Sequence, residues 1–313
     1  MNEPDFFWKN FRLGTELQIS GAFIFNALNF IDKIEYYHFE EDVFEILYNL
    51  SVGIERLEKI VIVLIEHNEQ SNQEQFEKSL ITHNLQDLIS RIKKTEKLKL
   101  GKVHNKLLML LTNFYNSYRY KRFNKDSVYH KNYDKFDFIN FIKDELHRSS
   151  DKDDYISNDL RIKKFLGKLV LTITTQLYEI IKNYSYKLGT FTYEIRYNSK
   201  AFKIFIVKEY TFENENNFKR EILINLLNEN GIKDEIIDYI KTLKPVNLES
   251  YNSSDYIKFL FNPENNQHYM SEYAHLIDEK KVDCKRVKEI SFIGENHYLS
   301  NDLNFSDDVE TEE

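Results

Sequence analysis

The chain has 313 residues, 42% of them apolar, and its 21 Tyr and 24 Phe give it ample material for a core. Eight Gly and three Pro over this length argue against a turn-rich sandwich or barrel and for long helices. The lone cysteine, Cys284, excludes an intrachain disulfide and a multi-cysteine zinc site, and a net charge of -8 is unlike a nucleic-acid coat, although a total hides local asymmetry.

Residues 1–9 are polar and aromatic with acidic members, unlike a signal peptide. The longest apolar run, 60–65, is far shorter than a membrane span. The expected setting is therefore a reducing cytoplasm, with no membrane contact. A first helix is expected over 15–33, apolar nearly all round. The clearest helical signal follows: Val43, Leu47, Leu50, Ile54, Leu57, Val61 and Leu64 recur at steps of four and three. Such a stripe could seat a partner chain. Additional apolar residues at Ile46, Ile60, Ile62 and Val63 widen it, which favours the core of a bundle.

A polar loop over 67–75 precedes a helix capped near Thr82 to Asn84, with Leu85, Leu88, Ile89 and Ile92 inward. The next helix covers 103–124, with Val103, Leu107, Leu110, Leu111, Phe114 and Tyr118 as its core stripe. A short amphipathic helix is expected at 136–146, and a loop at 148–155 is the best domain boundary. It would separate a helical bundle at 1–150 from a helical continuation at 151–299. Within that continuation, a long helix over 157–185 ends at Gly189. Phe191, Tyr193, Ile195 and Tyr197 then alternate with polar residues like a half-buried strand. Phe202, Ile204 and Ile206 either return as the second strand of a hairpin at 190–207 or form a helix over 200–207. Helices fit 217–227 and 235–243, and 300–313 reads as an acidic, disordered tail. The expected fold class is mainly α, a helical bundle with a smaller mixed α/β portion after it.

One region departs from the acidic background. Between Arg91 and Lys135 there are 13 Lys or Arg and three acids, a local charge of +10, so the rest of the chain carries -18. Interleaved aromatic residues include Tyr118, Tyr120 and Phe123. Cations that neutralise phosphates, beside rings that stack on unpaired bases, are what single-stranded nucleic acid requires. The candidate contacts are Lys97, Lys99, Lys102, Asn116, Tyr120, Lys121, Phe123 and Lys125. The alternative is that the basic segment docks on acidic parts of this chain or of a protein partner. Arg119 and Arg122 carry more weight than the lysines, because a guanidinium binds phosphate through two donors and keeps its charge.

The run Leu50-Ser51-Val52-Gly53-Ile54-Glu55-Arg56-Leu57-Glu58-Lys59, followed by His83-Asn84-Leu85-Gln86-Asp87-Leu88, resembles the HEPN superfamily. Those domains show a Gly-x-Glu-x-x-x-Lys-like helix, then a helix opening on His-(Asp/Asn)-Leu-x-x-Leu. The resemblance spans roughly residues 15–145. It implies a helical bundle, commonly a homodimer, associated with RNA and with toxin or phage-defence systems. Active members are metal-independent ribonucleases that use Arg-x(4–6)-His, Arg for the phosphate and His for the proton. This chain departs from that pattern. Asn124, Lys125 and Asp126 follow Arg119 at the required spacing, and Ser127, Val128 and Tyr129 follow Arg122. His130 lies just past the window, so the catalytic candidates are Arg119, Arg122 and, if the loop folds back, His130. His83 reads as a helix-start residue that supports local structure, and Gly53 as a close-packing position.

Other chemistry finds little footing. No two histidines stand at helical metal-site spacing, and the aspartates at 151, 153 and 154 lack the glycine and glutamate of a calcium loop. No cofactor or metal is expected. The leading functional expectation is RNA binding, with metal-independent ribonuclease activity in a toxin or phage-defence setting as its extension, and the alternative is an inactive dimerisation or protein-interaction module.

Overall fold

The computed structural model describes residues 2–121, 123–126, 133–148, 155–228, 231–246, 248, 253–262, 267–291 and 293, with the backbone alone for Arg119, Tyr133 and 267–270. The chain divides into two units, Met1–Phe212 and Glu213–Glu313. Arg122, His130 and the expected tail at 300–313 lie outside the described residues.

The first unit is a helical bundle. Its elements are α1 (Glu3–Phe7), α2 (Leu13–Lys33), α3 (Glu40–Glu66), α4 (Gln73–Ser79), α5 (Leu85–Ile92), α6 (Lys102–Asn113), α7 (Arg119–Lys121), α8 (Tyr133–Glu145), α9 (Leu160–Leu188) and α10 (Lys200–Phe202). Three π-helical turns interrupt the α geometry, at Trp8–Arg12, Phe114–Tyr118 and Lys203–Val207. The long α9 follows the expected boundary at 148–155, yet it belongs to this first unit and packs on α3.

The centre of the bundle is α3. All seven residues of its regular stripe, Val43 to Leu64, are at most 2% exposed, so the stripe is core of this chain and not a seam open to a partner. Glu40, Glu41 and Asp42 place negative charge in its first turn, where the helix dipole favours it. At its other end the Lys9 ammonium, itself buried, donates to the His67 carbonyl at 2.7 Å. Burial lowers the pKa of Lys9, with Asp5 opposing that shift. Along its length α3 lies close against α2, because Gly53 leaves no side chain between them. A Cβ there would stand 2.7 Å from Ile24 Cγ1 and 3.2 Å from the Ser20 carbonyl oxygen. The Ser20 hydroxyl donates to the Gly53 carbonyl at 2.7 Å, which meets the backbone at the point of closest approach.

The segment before α9 lies antiparallel to residues 35–37. Tyr36 and Ser157 form an isolated bridge, and the Tyr37 amide donates to the Ile156 carbonyl at 2.9 Å. Buried Asn158 then donates to the carbonyls of Ile31 and Ile34 and accepts from the Tyr37 hydroxyl. Asp159 caps α9 by accepting from the Ile162 amide, and Gly189 ends the helix at φ 67°, as its sequence position predicts.

The expected hairpin at 190–207 does not form, and among the described residues no strand is present. The alternation in 190–197 does not sort into one buried and one exposed face, since Tyr193 and Ile195 are half-buried and Glu194 and Arg196 exposed. Thr190 and Thr192 are inside, with the Thr192 hydroxyl donating to the Lys9 carbonyl, while Phe191 and Tyr197 are exposed. Ser199 then caps α10 by accepting from the Phe202 amide, so residues 200–207 are helical. No helix among the described residues is long and apolar enough to cross a membrane.

The second unit contains α11 (Glu213–Leu227), α12 (Glu235–Thr242), α13 (Ser253–Phe261), α14 (Gln267–Asp278) and α15 (Cys284–Ile290). Here burial is sparse, with Leu276 and Val282 the buried apolar residues among those described. Local polar contacts hold it, including the Tyr256 hydroxyl on both Glu272 carboxylate oxygens.

One substitution tests the close packing of the first unit. In an exposed helix Gly→Ala stabilises by about 1 kcal/mol. At Gly21 the added Cβ would meet Ala201 Cα at 2.5 Å. Gly21→Ala should therefore reverse that sign and cost roughly 1–3 kcal/mol, read as a lowered urea midpoint with unchanged slope.

Candidate nucleic-acid interface

The basic segment centres on the end of α6. Leu107, Leu108, Leu110 and Leu111 are buried, and the helix then widens into the π-turn Phe114–Tyr118. A π-turn carries an extra residue per turn, and the two rings that open this one both face inward. Phe114 is fully buried against Phe44 at 5.1 Å, and Tyr115 packs on Tyr48 at 6.1 Å and on His83 at 4.7 Å. Tyr118 is half-buried and its hydroxyl donates to Asp137 Oδ2 at 2.8 Å. The next rings turn outward: Tyr120 is 61% exposed and Phe123 89%.

The structure brings some sequence candidates together and separates others. Lys97, Lys99, Lys102, Asn116, Lys121 and Lys125 are all exposed. The Lys99 backbone is pinned to α9, its amide donating to Gln176 Oε1 at 2.6 Å and its carbonyl accepting from Gln176 Nε2 at 3.2 Å. Lys121 Nζ sits 5.1 Å from the centre of the Tyr118 ring. Two cations of the segment are used internally: Arg91 grips Glu66 through two donors, and Lys106 pairs with Glu145. The expected catalytic set of Arg119, Arg122 and His130 lies outside the described residues, apart from the Arg119 backbone. Phe123 and Lys135 line an open cleft of about 610 Å³ with His38, Phe39, Glu40, Glu41 and Phe44. The two glutamates make it less welcoming to phosphate than the lysine side of the segment.

Sequence reasoning passed over a polar array on the inner side of the same π-turn. Glu55 on α3 is held at both carboxylate oxygens. Lys59 Nζ donates to Oε1 at 2.6 Å, and His83 Nδ1 lies 3.0 Å from Oε2. Glu55 is 9% exposed at its side chain, whereas His83, just before α5, is 46% exposed. The Nδ1 edge of the ring faces Glu55, and Nε2 has no protein hydrogen-bond partner among the described residues. The signal was present as Glu55, Lys59 and His83 inside the motifs already singled out. Their convergence across 28 residues needed the fold.

One turn along α3, Glu58 has the opposite environment. It is fully buried, and neither carboxylate oxygen has a hydrogen-bond partner among the described residues. Burial pushes its pKa well above the usual carboxylate range; Glu55 adds to the shift and Lys59 opposes it. No cluster of three or more His, Cys, Asp or Glu among the described residues is placed to hold a metal ion. No family model, curated protein or solved structure matches this chain.

Glu58 yields a pH prediction. Its folded pKa is raised above the ordinary 4.5, so both states are protonated at low pH and the carboxyl destabilises the fold increasingly as pH rises past that value. Glu58→Leu should stabilise the protein by about 1–3 kcal/mol at pH 8, and the gain should shrink toward pH 5. Paired thermal melts across that range measure the difference, and a gain independent of pH would refute the ionisation argument.

Proposed function

We propose that this chain binds single-stranded RNA through the exposed end of α6, on a HEPN-like helical bundle. The observation that carries the reading is the outward pair Tyr120 and Phe123, 61% and 89% exposed, within a segment of +10 in a chain of -8. Large rings are costly to leave in water. Two of them flanked by exposed Lys121 and Lys125 make a surface suited to stacking bases while neutralising phosphates. The same segment buries Phe114 and Tyr115, so among the described rings the exposure is selective. Support for the bundle assignment comes from its two quoted motifs, which meet at the Glu55–His83 contact. A toxin or phage-defence setting belongs to the same proposal and rests on the resemblance alone.

The test is a salt titration of a labelled single-stranded RNA. Affinity should fall with salt at a slope of about -0.7 per phosphate neutralised, and Lys99→Ala or Lys102→Ala should each flatten it by about that amount. Tyr120→Ala and Phe123→Ala should each weaken binding by roughly 1–3 kcal/mol at constant slope. Absence of binding even at low salt would leave a protein-interaction module as the reading of the bundle.

A further inference from the structure

Where α3 ends, a cleft of about 470 Å³ opens beside α1 and α4. That volume falls within the range of small-molecule sites. Asp5, Glu69 and Glu77 contribute three carboxylates to its lining, and no Lys or Arg lines it among the described residues. His67, which caps α3, stands in the same wall, where the negative end of the helix dipole favours cations. The fold already seats one ammonium at this helix end, since buried Lys9 donates to the His67 carbonyl. His67 is itself 5% exposed, and its Nδ1 is buried with no hydrogen-bond partner among the described residues. Buried polar atoms are nearly always bonded, so this one marks a missing donor.

The other nitrogen of His67 is committed. Gln73 Nε2 donates to Glu77 Oε1 at 2.6 Å, and a carboxylate only accepts, so the amide is turned with Oε1 toward His67 Nε2 at 2.8 Å. An amide oxygen accepts in its turn. In the neutral ring Nε2 therefore carries the proton and Nδ1 is the acceptor. Edge contacts with Trp8 at 4.9 Å and Phe76 at 5.2 Å hold the ring in this place. The ionisable groups of the wall thus all call for a donor or a positive charge. No three His, Cys, Asp or Glu among the described residues converge as a metal would require, so the negative charge is spread along the cleft. A chain carrying several N–H cations matches that spread better than a point charge. The Trp8 indole, in the same lining, is the ring type that attracts such cations best. We propose that this cleft binds a linear polyamine, its ammonium groups on Asp5, Glu69 and Glu77 and one N–H donated to His67 Nδ1. The proposal does not rest on the RNA-binding reading and is tested without RNA.

Trp8 is the single tryptophan of the chain, so its emission reports on the cleft directly. The full chain is titrated with spermidine at constant ionic strength, with tetramethylammonium and Mg²⁺ as comparison cations, and variant affinities are measured by calorimetry. Spermidine should change the emission saturably, with a midpoint below about 1 mM. Tetramethylammonium has charge but no N–H, and Mg²⁺ is a point charge; neither should give a saturable change over the same range. His67→Phe keeps a flat ring against Trp8 and Phe76 but has no Nδ1. It should weaken spermidine binding by about 10-fold or more, as loss of a hydrogen bond to a charged group does. Asp5→Asn and Glu77→Gln should each weaken it about three- to fivefold and flatten its salt dependence. If His67→Phe melts well below the wild type, the double variant of Asp5→Asn with Glu77→Gln decides instead, with an expected loss of about 10-fold. No saturable response to spermidine, equal responses to all three cations, or wild-type affinity in the deciding variant overturns the proposal.

Discussion

Everything in the first unit is referred to the contact between α2 and α3. Two helices of ordinary composition pack 8–10 Å apart, held off by their side chains. Gly53 removes one of those side chains, and Ser20 fills the gap with a hydroxyl donated to the Gly53 carbonyl at 2.7 Å. With α3 fixed this closely, the residues two and five positions further on have defined directions. Ser51, Glu55 and Glu58 share a face at helical spacing. That face meets α5 and the end of α6, where the Ser51 hydroxyl reaches the Leu111 carbonyl and Glu55 reaches His83. The placement of the imidazole is thus a consequence of core packing begun on the opposite side of α3.

Two carboxylates three residues apart on one helix have been given different work by their surroundings. Glu55 has two cationic or hydrogen-bonding partners and partial access to water. Glu58 has neither, and its oxygens are buried without partners. Burial, and then the neighbouring Glu55, push the Glu58 carboxyl above the usual carboxylate range. Glu55 is the one of the two whose oxygens meet Lys59 and His83. A buried unsatisfied carboxyl lowers stability, and natural folds keep such groups mostly where a site requires them.

Much of the bundle was legible because periodicity and caps are local. The stripe of α3, the Asn84 cap of α5 and the Gly189 stop of α9 all depend on residues within a turn or two. What escaped depends on partners far along the chain. The alternating run after Gly189 has strand spacing, but Thr192 finds the carbonyl of Lys9 and the Phe191 amide finds the side chain of Asn10, so the start of the run is tied to the N-terminal segment and no ladder forms. The domain boundary was drawn at a polar loop, whereas α9 beyond it is tied back by Asn158 across more than a hundred residues. At the candidate site the exposed rings and lysines were readable from composition. The Glu55–His83 pair was not, because nothing local in residues 55 or 83 announces the other.

The π-turn at Phe114–Tyr118 is what joins core to surface. In an uninterrupted α-helix each residue advances the direction of its side chain by about 100°, and a π-turn changes that spacing locally. Widening the turn lets Phe114 fill the space beside Phe44 while Tyr115 meets His83 and Tyr48. Beyond it Tyr120 and Phe123 are exposed, and neither ring returns to the core stripe. A π-turn is less favourable than the α-helix it interrupts, so it persists only where the surroundings over-determine it. Here two buried rings, the Tyr118 bond to Asp137 and the edge of His83 together fix it. The turn that holds Tyr115 against the imidazole thus leads directly into the proposed base-stacking rings, so core packing and exposed surface meet along one short segment.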